Sequence, residues 1–309
     1  MILGGSFDGA VSASYRLAGR TVVSDCAVDE LRAFRTADMR PVRPRSQRFA
    51  AYKPAEAVRT FSGPGWIDNR WLDVEAYWSA EGYWLEVADA GLFWVAGDGG
   101  MLVHVDRDPD AVQSTVIQTA LGPGLILALA LQGVWCLHAS AVTTQSHAVA
   151  FIGESGNGKS TLAAYMGSEA DLGWSFATDD ILPIELGPGK PCVLPHFPQL
   201  KLPNDVQPAT RLPERLPLTT IYVLGGQGDG GDEVSIHSLS AQEAALALIR
   251  HTATTRLFGA ALLKNHLAAC TDIAASMPVR ELSYPRTWNA LPAVQRAIAA
   301  DSSSRRQAG

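Results

Sequence analysis

Residues Gly153-Glu154-Ser155-Gly156-Asn157-Gly158-Lys159-Ser160 satisfy every fixed position of the pattern G-x-x-x-x-G-K-[ST]. A short apolar run, Ala148-Val149-Ala150-Phe151-Ile152, leads in, and a helix-forming segment, Thr161-Leu162-Ala163-Ala164-Tyr165-Met166, leads out. Strand, glycine-rich turn and helix in that order imply an α/β domain in which the turn cradles an anion. Each residue type has a task. Glycines at 153, 156 and 158 let the backbone curl so that successive N–H groups converge on phosphate oxygens. The helix starting near Lys159 adds its unpaired N–H groups and positive end, so Glu154, Ser155, Asn157 and Thr161 join the phosphate-binding set. Lys159 supplies a cation to the β- and γ-phosphates, and the Ser160 hydroxyl a ligand for Mg²⁺. The pattern points to a nucleotide such as ATP. By itself it does not say what is done with it.

Asp179-Asp180 closes the run Trp174-Ser175-Phe176-Ala177-Thr178 about twenty residues after Ser160, where a metal-holding aspartate ends an apolar strand in such domains. Two adjacent aspartates can divide the work, Asp179 near Mg²⁺ and Asp180 near an acceptor hydroxyl, or the reverse. Successive strand side chains point to opposite faces, so both reach one site only if the chain turns there. The plainer alternative is a turn cap. His138 lies in Val134-Trp135-Cys136-Leu137-His138-Ala139-Ser140-Ala141-Val142, apolar on both sides and hence expected to be a central, buried strand. A histidine there is by default a core residue.

The rest of the chain divides by texture. Five of the eight tryptophans (Trp66, Trp71, Trp78, Trp84, Trp94) fall between positions 66 and 94, among alternating bulky and polar residues broken by glycine-rich turns. This predicts a β-rich module over residues 1–105 whose aromatics serve strand packing. Arg40 to Arg48, with four arginines and two prolines, reads as an exposed loop, and Gly225 to Asp232 as a flexible one. Helix and strand alternate over residues 106–300. Pro109 to Leu131 is expected to be helical with a break at Gly122-Pro123-Gly124, Ser240 to Glu243 has capping-box spacing, and Thr287 to Ala300 forms a last helix. Residues 301–309 are expected to be a disordered tail.

Composition sets outer limits. Of the 309 residues 25 are basic and 31 acidic, a net charge of −6, which argues against coating nucleic acid or an anionic membrane through bulk charge. Cys26, Cys136, Cys192 and Cys270 form neither a C-x-x-C pair nor a disulfide framework, as expected of a reduced cytoplasm. Leu125 to Leu137 falls short of the roughly 18 apolar residues of a membrane-spanning helix and reads as core. The expectation is a cytoplasmic protein without nucleic-acid or membrane partners.

Taken together, Leu137-His138-Ala139-Ser140-Ala141-Val142, the loop from Gly153 to Ala164 and Thr178-Asp179-Asp180 resemble the HPr kinase/phosphorylase superfamily, and within it the compact HPr-kinase-like proteins, some of which accompany lasso-peptide and other RiPP biosynthesis genes. Tyr15 to Gly19, Pro195 to Leu202 and Leu282-Ser283-Tyr284-Pro285-Arg286 match the texture of that subgroup. The resemblance implies an α/β fold: a P-loop kinase domain of the HPr kinase/PEP carboxykinase-like type beside a smaller N-terminal β-rich domain. It implies His138 as an active-site histidine, Lys159 as the phosphate lysine, Ser160 and Asp179 as metal-side residues and Asp180 as the favoured base. It implies ATP and Mg²⁺ as cofactors and, as substrate, a serine-type hydroxyl on a peptide or small protein. A small-molecule hydroxyl kinase, an HPr-directed kinase and a non-catalytic nucleotide-gated binder are the alternatives, and the relatives' habit of assembling makes a homo-oligomer compatible. The glutamate-containing signature tied to reverse phosphorolysis is missing, with Pro195 to Leu202 in its stretch. Glu185 stands as a candidate second metal carboxylate and Arg250 or Arg256 as the later arginine.

Overall fold

The computed structural model describes residues 1–4, 13–37, 52–106, 110–168, 173–187, 189–200, 212–225 and 233–304. The loops expected at Arg40 to Arg48 and beyond Gly225 lie outside them. The chain is mixed α/β and forms two compact units, dividing between Trp135 and Cys136, with Thr254–Asn265 returning to the first.

The first unit is built on strands β1 (Ile2–Gly4), β2 (Ala13–Leu17), β3 (Arg20–Ser24), β4 (Val58–Ile67), β5 (Arg70–Ser79), β6 (Gly82–Val87), β7 (Gly91–Ala96) and β8 (Met101–Asp106). They form one sheet in the order β2-β3-β1-β8-β7-β6-β5-β4, antiparallel except where β1 runs parallel to β3 and β8. Asp68 and Asn69, both at positive φ, make the two-residue turn that joins β4 to β5. Trp84 and Trp94 are buried in the sheet's core with Val23, Met101 and Val103. The aromatics do not all pack as expected: Trp66, Trp71 and Trp78 are 54%, 66% and 43% exposed. They sit on the terminal β4–β5 hairpin, where Trp66 and Trp71 meet edge to face at 5.3 Å.

The helical stretch after β8 comprises α1 (Gln113–Thr119), a wider turn Ala120–Gly124 carrying Pro123, and α2 (Leu125–Leu131). Gly122 leaves helical geometry (ψ −106°), the break expected there. The stretch Gln113–Leu131 is long and apolar enough to cross a bilayer, yet 61% of it is buried inside the protein. It packs on β7 and β8 and so belongs to the first unit. The boundary expected at residues 105/106 therefore moves to Trp135. Apolar residues chosen to cover a sheet read like the start of the next domain when partners are unseen. Thr60 Oγ1 donates to Leu257 O at 2.9 Å and Gly259 N to Tyr83 Oη at 2.9 Å, tying the returning segment to this sheet.

The second unit carries β9 (Val134–Thr143) from Cys136 on, β10 (Ala148–Ile152), α3 (Lys159–Ser168), β11 (Ser175–Thr178), β12 (Ile181–Leu186), β13 (Pro191–Val193), β14 (Leu216–Leu224), β15 (Ser235–Ser238), α4 (Ala241–His251), α5 (Ala260–Ser276) from His266 on, β16 (Val279–Ser283) and α6 (Leu291–Ser304). Strand β10 pairs antiparallel with β9 and parallel with β14, and β14 pairs parallel with β16. On the far side of β9 lies β11, antiparallel. Strands β12 and β13 link β9 to the start of β14, closing a circuit. One face packs Ala244, Leu248, Cys270 and Ile273 of α4 and α5, and the other packs Leu162, Met166, Val294 and Ile298 of α3 and α6. Alternation along β9 sends Leu137, Ala139 and Ala141 to the α4–α5 face and Val142 to the α3 face. The capping box at Ser240 forms as its spacing predicts. The expected disordered tail is partly helical, since α6 runs to Ser304. Asp301 there accepts from Tyr222 Oη at 2.8 Å and pairs with Arg280 at 2.9 Å, which holds the last turn; 305–309 lie outside the described residues.

Candidate active site

The loop between β10 and α3 bends where the glycines permit. Gly156 and Gly158 have φ of 84° and 81°, left-handed values that a side chain would strain. Asn157 is buried and donates from Nδ2 to Leu224 O at 3.0 Å, pinning the loop to the end of β14. Lys159 is buried too, its Nζ donating to Gly153 O at 2.8 Å and Glu154 O at 3.1 Å. The cation thus lies along its own loop. Glu154, Ser155, Gly156, Ser160 and Thr161 are exposed at the loop crown and first helical turn.

Asp179 reaches the start of α3 and Asp180 faces β9, with the chain turning between the pair and β12. Asp180 has φ of 87°, an unfavourable conformation for a non-glycine residue and one found preferentially at functional sites. Thr178 Oγ1 donates to Ile181 O across the turn at 2.8 Å, and Ala139 N donates to Asp180 O at 3.1 Å. Asp179 then accepts from Ser160 Oγ at 2.7 Å and Ser140 Oγ at 2.6 Å, while its own N–H donates to Gln199 Oε1 at 3.0 Å. Ser140 is fully buried and Gln199 nearly so. Asp180 Oδ1 lies 2.9 Å from His138 Nε2.

His138 is not the buried core residue that its apolar neighbours suggest, for its side chain is 41% exposed and Asp180's 26%. It shares a strand face with Ser140, two residues on. Sequence alternation fixes the face but not where along the strand the covering helix ends.

Ser140, Gln199 and Arg286 lie in runs that carry the resemblance but receive no role from it, and no sequence signal marks His251. His251 ends α4 in a buried position. Burial holds its imidazole below the ordinary value, with Lys159, Arg250 and His138 adding in the same sense and Glu154 opposing. Two secondary candidates are not brought in: the Glu185 carboxylate takes Arg215, and Arg250 is exposed at the end of α4. Arg256 belongs to the first unit.

No family model matches the chain, and no curated protein matches it. Among solved structures, the Hpr(Ser) kinase/phosphatase from Coxiella burnetii is similar over 56% of this chain and 93% of its own, at 10% identity and a TM-score of 0.32. So slight a likeness assigns neither family nor activity. What the chain does has to be read from the site.

Chemically, the second unit presents a glycine-rich turn at a helix N-terminus, a buried lysine, and two carboxylates with different partners. One carboxylate is held by hydroxyls and the other by an imidazole.

Proposed function

We propose that the protein is an ATP- and Mg²⁺-dependent kinase that transfers the terminal phosphoryl group to a serine-type hydroxyl on a peptide or small protein. The observation that carries this reading is the split of the aspartate pair: Asp179 is bound to Ser160 at the start of α3, and Asp180 beside it is bound to His138. A site that only held nucleotide would have no use for the second, half-exposed carboxylate.

The loop N–H groups and the start of α3 would hold the phosphates, with Lys159 leaving its loop carbonyls for the transferring group. Ser160 and Asp179 are hard oxygen donors and fit Mg²⁺, which takes few protein ligands and keeps waters and phosphate oxygens. When bound, Mg²⁺ supplies charge neutralisation on the phosphate oxygens.

The remaining steps belong to the chain. Asp180, oriented by His138, accepts the proton of the acceptor hydroxyl as that oxygen takes the phosphoryl group and the bond to the bridging oxygen of ADP breaks. A carboxylate is a weak base, but in a loose transition state the hydroxyl proton leaves late, so positioning matters more than basicity. Ser140 and Gln199 keep Asp179 turned toward Ser160.

The test is incubation with Mg-ATP and a panel of serine-containing peptides, read by mass spectrometry, with small hydroxyl metabolites in parallel. A phosphoryl increment on a peptide is the expected result. Modification of a metabolite and of no peptide would replace the acceptor, and no transfer to anything would overturn the reading.

A further inference from the structure

The described contacts of the loop are lopsided. On the β9 side of β10 stand His138, Asp179 and Asp180. On the other side run β14 and β16, parallel to β10, so all three carboxyl ends open onto one edge, where ligands of such sheets bind. There Arg286 follows β16. A Cβ built on Gly158 would sit 3.1 Å from Arg286 Nη1 and 3.3 Å from Tyr284 Oη. The guanidinium lies over the Tyr284 ring at 4.7 Å, Nη1 reaches Tyr284 Oη at 3.5 Å, and Nη2 donates to Gly225 O. It is half-buried. Arg59, Arg70, Arg215 and Arg280 all pair with carboxylates, whereas among the described residues Arg286 has none. A fixed, half-buried cation facing only neutral oxygens and a ring, next to an amide-lined loop, is arranged for an anion from outside.

We propose that Arg286 is the second cation of the site and binds the phosphate nearest the nucleoside. The inference rests on the nucleotide-kinase reading. With the terminal phosphoryl group at the aspartates, the nucleoside end of the chain of phosphates leaves toward the β14–β16 flank, where Arg286 is held. Lys159 serves the reactive end and Arg286 the anchoring end.

Titration of ATP, ADP and AMP into wild-type protein, Arg286→Ala, Arg286→Lys and Lys159→Ala tests this. Arg286→Ala should weaken all three nucleotides by a similar factor, about 10- to 100-fold for a lost charge-assisted contact. Arg286→Lys, keeping the charge without the fork, should recover part of it. Lys159→Ala should weaken ATP more than ADP and spare AMP. Unchanged affinity in Arg286→Ala, or a loss confined to ATP, would overturn the role of Arg286 while leaving the nucleotide site standing. If wild-type protein binds none of the three, the nucleotide reading fails and Arg286's role with it. Should Arg286→Ala not fold, Arg286→Lys decides: the role requires a several-fold loss shared equally by ATP, ADP and AMP, and no loss refutes it.

Discussion

In the first unit, Asp68 on the β4–β5 turn accepts from Ser114 and Thr115 of α1, and Thr115 accepts from Arg70 in turn, while other buried polar side chains answer the backbone beside them. Thr119 Oγ1 donates to Thr115 O one helical turn back, and His104 Nε2 meets Ala90 O on the adjoining strand at 2.8 Å. In the second, they reach across elements to one another: Ser140 on β9, Ser160 on α3 and Gln199 beyond β13 all converge on Asp179, and His138 on Asp180. Burying a polar group costs free energy unless it is bonded, and a local carbonyl is the simplest partner. A cluster of side chains bonded to each other across distant elements is the more demanding arrangement. The first unit's cluster joins one hairpin turn to one helix, whereas the second unit's gathers groups from β9, α3 and the segment beyond β13 around two adjacent carboxylates. Exposed tryptophans make the first unit conspicuous in sequence, but exposure alone demands nothing of its neighbours.

The contrast can be broken experimentally, most severely at Asp180. Asp180→Asn removes the proposed base while retaining a residue type that tolerates positive φ, so transfer should fall by roughly 10²–10⁴-fold with ATP affinity kept. Transfer at the normal rate would remove Asp180 from the chemistry. Lys159→Ala follows, with an expected loss of about 10²–10³-fold in turnover, or roughly 3–4 kcal/mol of barrier, by analogy with deleting one preorganised donor. Steady-state rates at saturating ATP measure it.

Ser140→Ala deletes a buried donor to a carboxylate and should lower unfolding free energy by about 1.5–3 kcal/mol in denaturant melts. An unaltered melt would mean that Asp179 is not held from that side. Least is expected of Trp66→Ala, whose exposed edge-to-face contact with Trp71 is worth about 0.5–1.5 kcal/mol, with phosphoryl transfer unchanged. A drop in transfer to peptide without a drop in ATP affinity would bring the first unit into acceptor binding and dissolve the contrast.

Much of the site was readable beforehand because its signals are local. The loop, the strand before it and the aspartate pair depend on short spacings, and the requirement that the chain turn at Asp179-Asp180 is met by a positive φ at Asp180. Information from afar was not readable. The opening at His138 depends on where covering elements stop, and Arg286 reaches Gly158 only because β16 is two strands from β10 in a parallel sheet. That parallel order is the signal that could have found it, since it gathers every strand's carboxyl end at one edge. The helix pair α1–α2 reads in sequence as part of residues 106–300 while α2 covers β7 and β8, because an apolar helix does not say which sheet it covers.

The central claim is that the second unit moves the terminal phosphoryl group of ATP onto a serine oxygen with Asp180 as base. ATP labelled in its terminal phosphate tests it directly, with the label followed into acceptor peptide by wild-type protein and by Asp180→Asn at equal nucleotide saturation. The account predicts label on the acceptor serine with the wild type and a near-complete loss with the variant. Label appearing only as inorganic phosphate, or appearing equally on the peptide with both proteins, would contradict it.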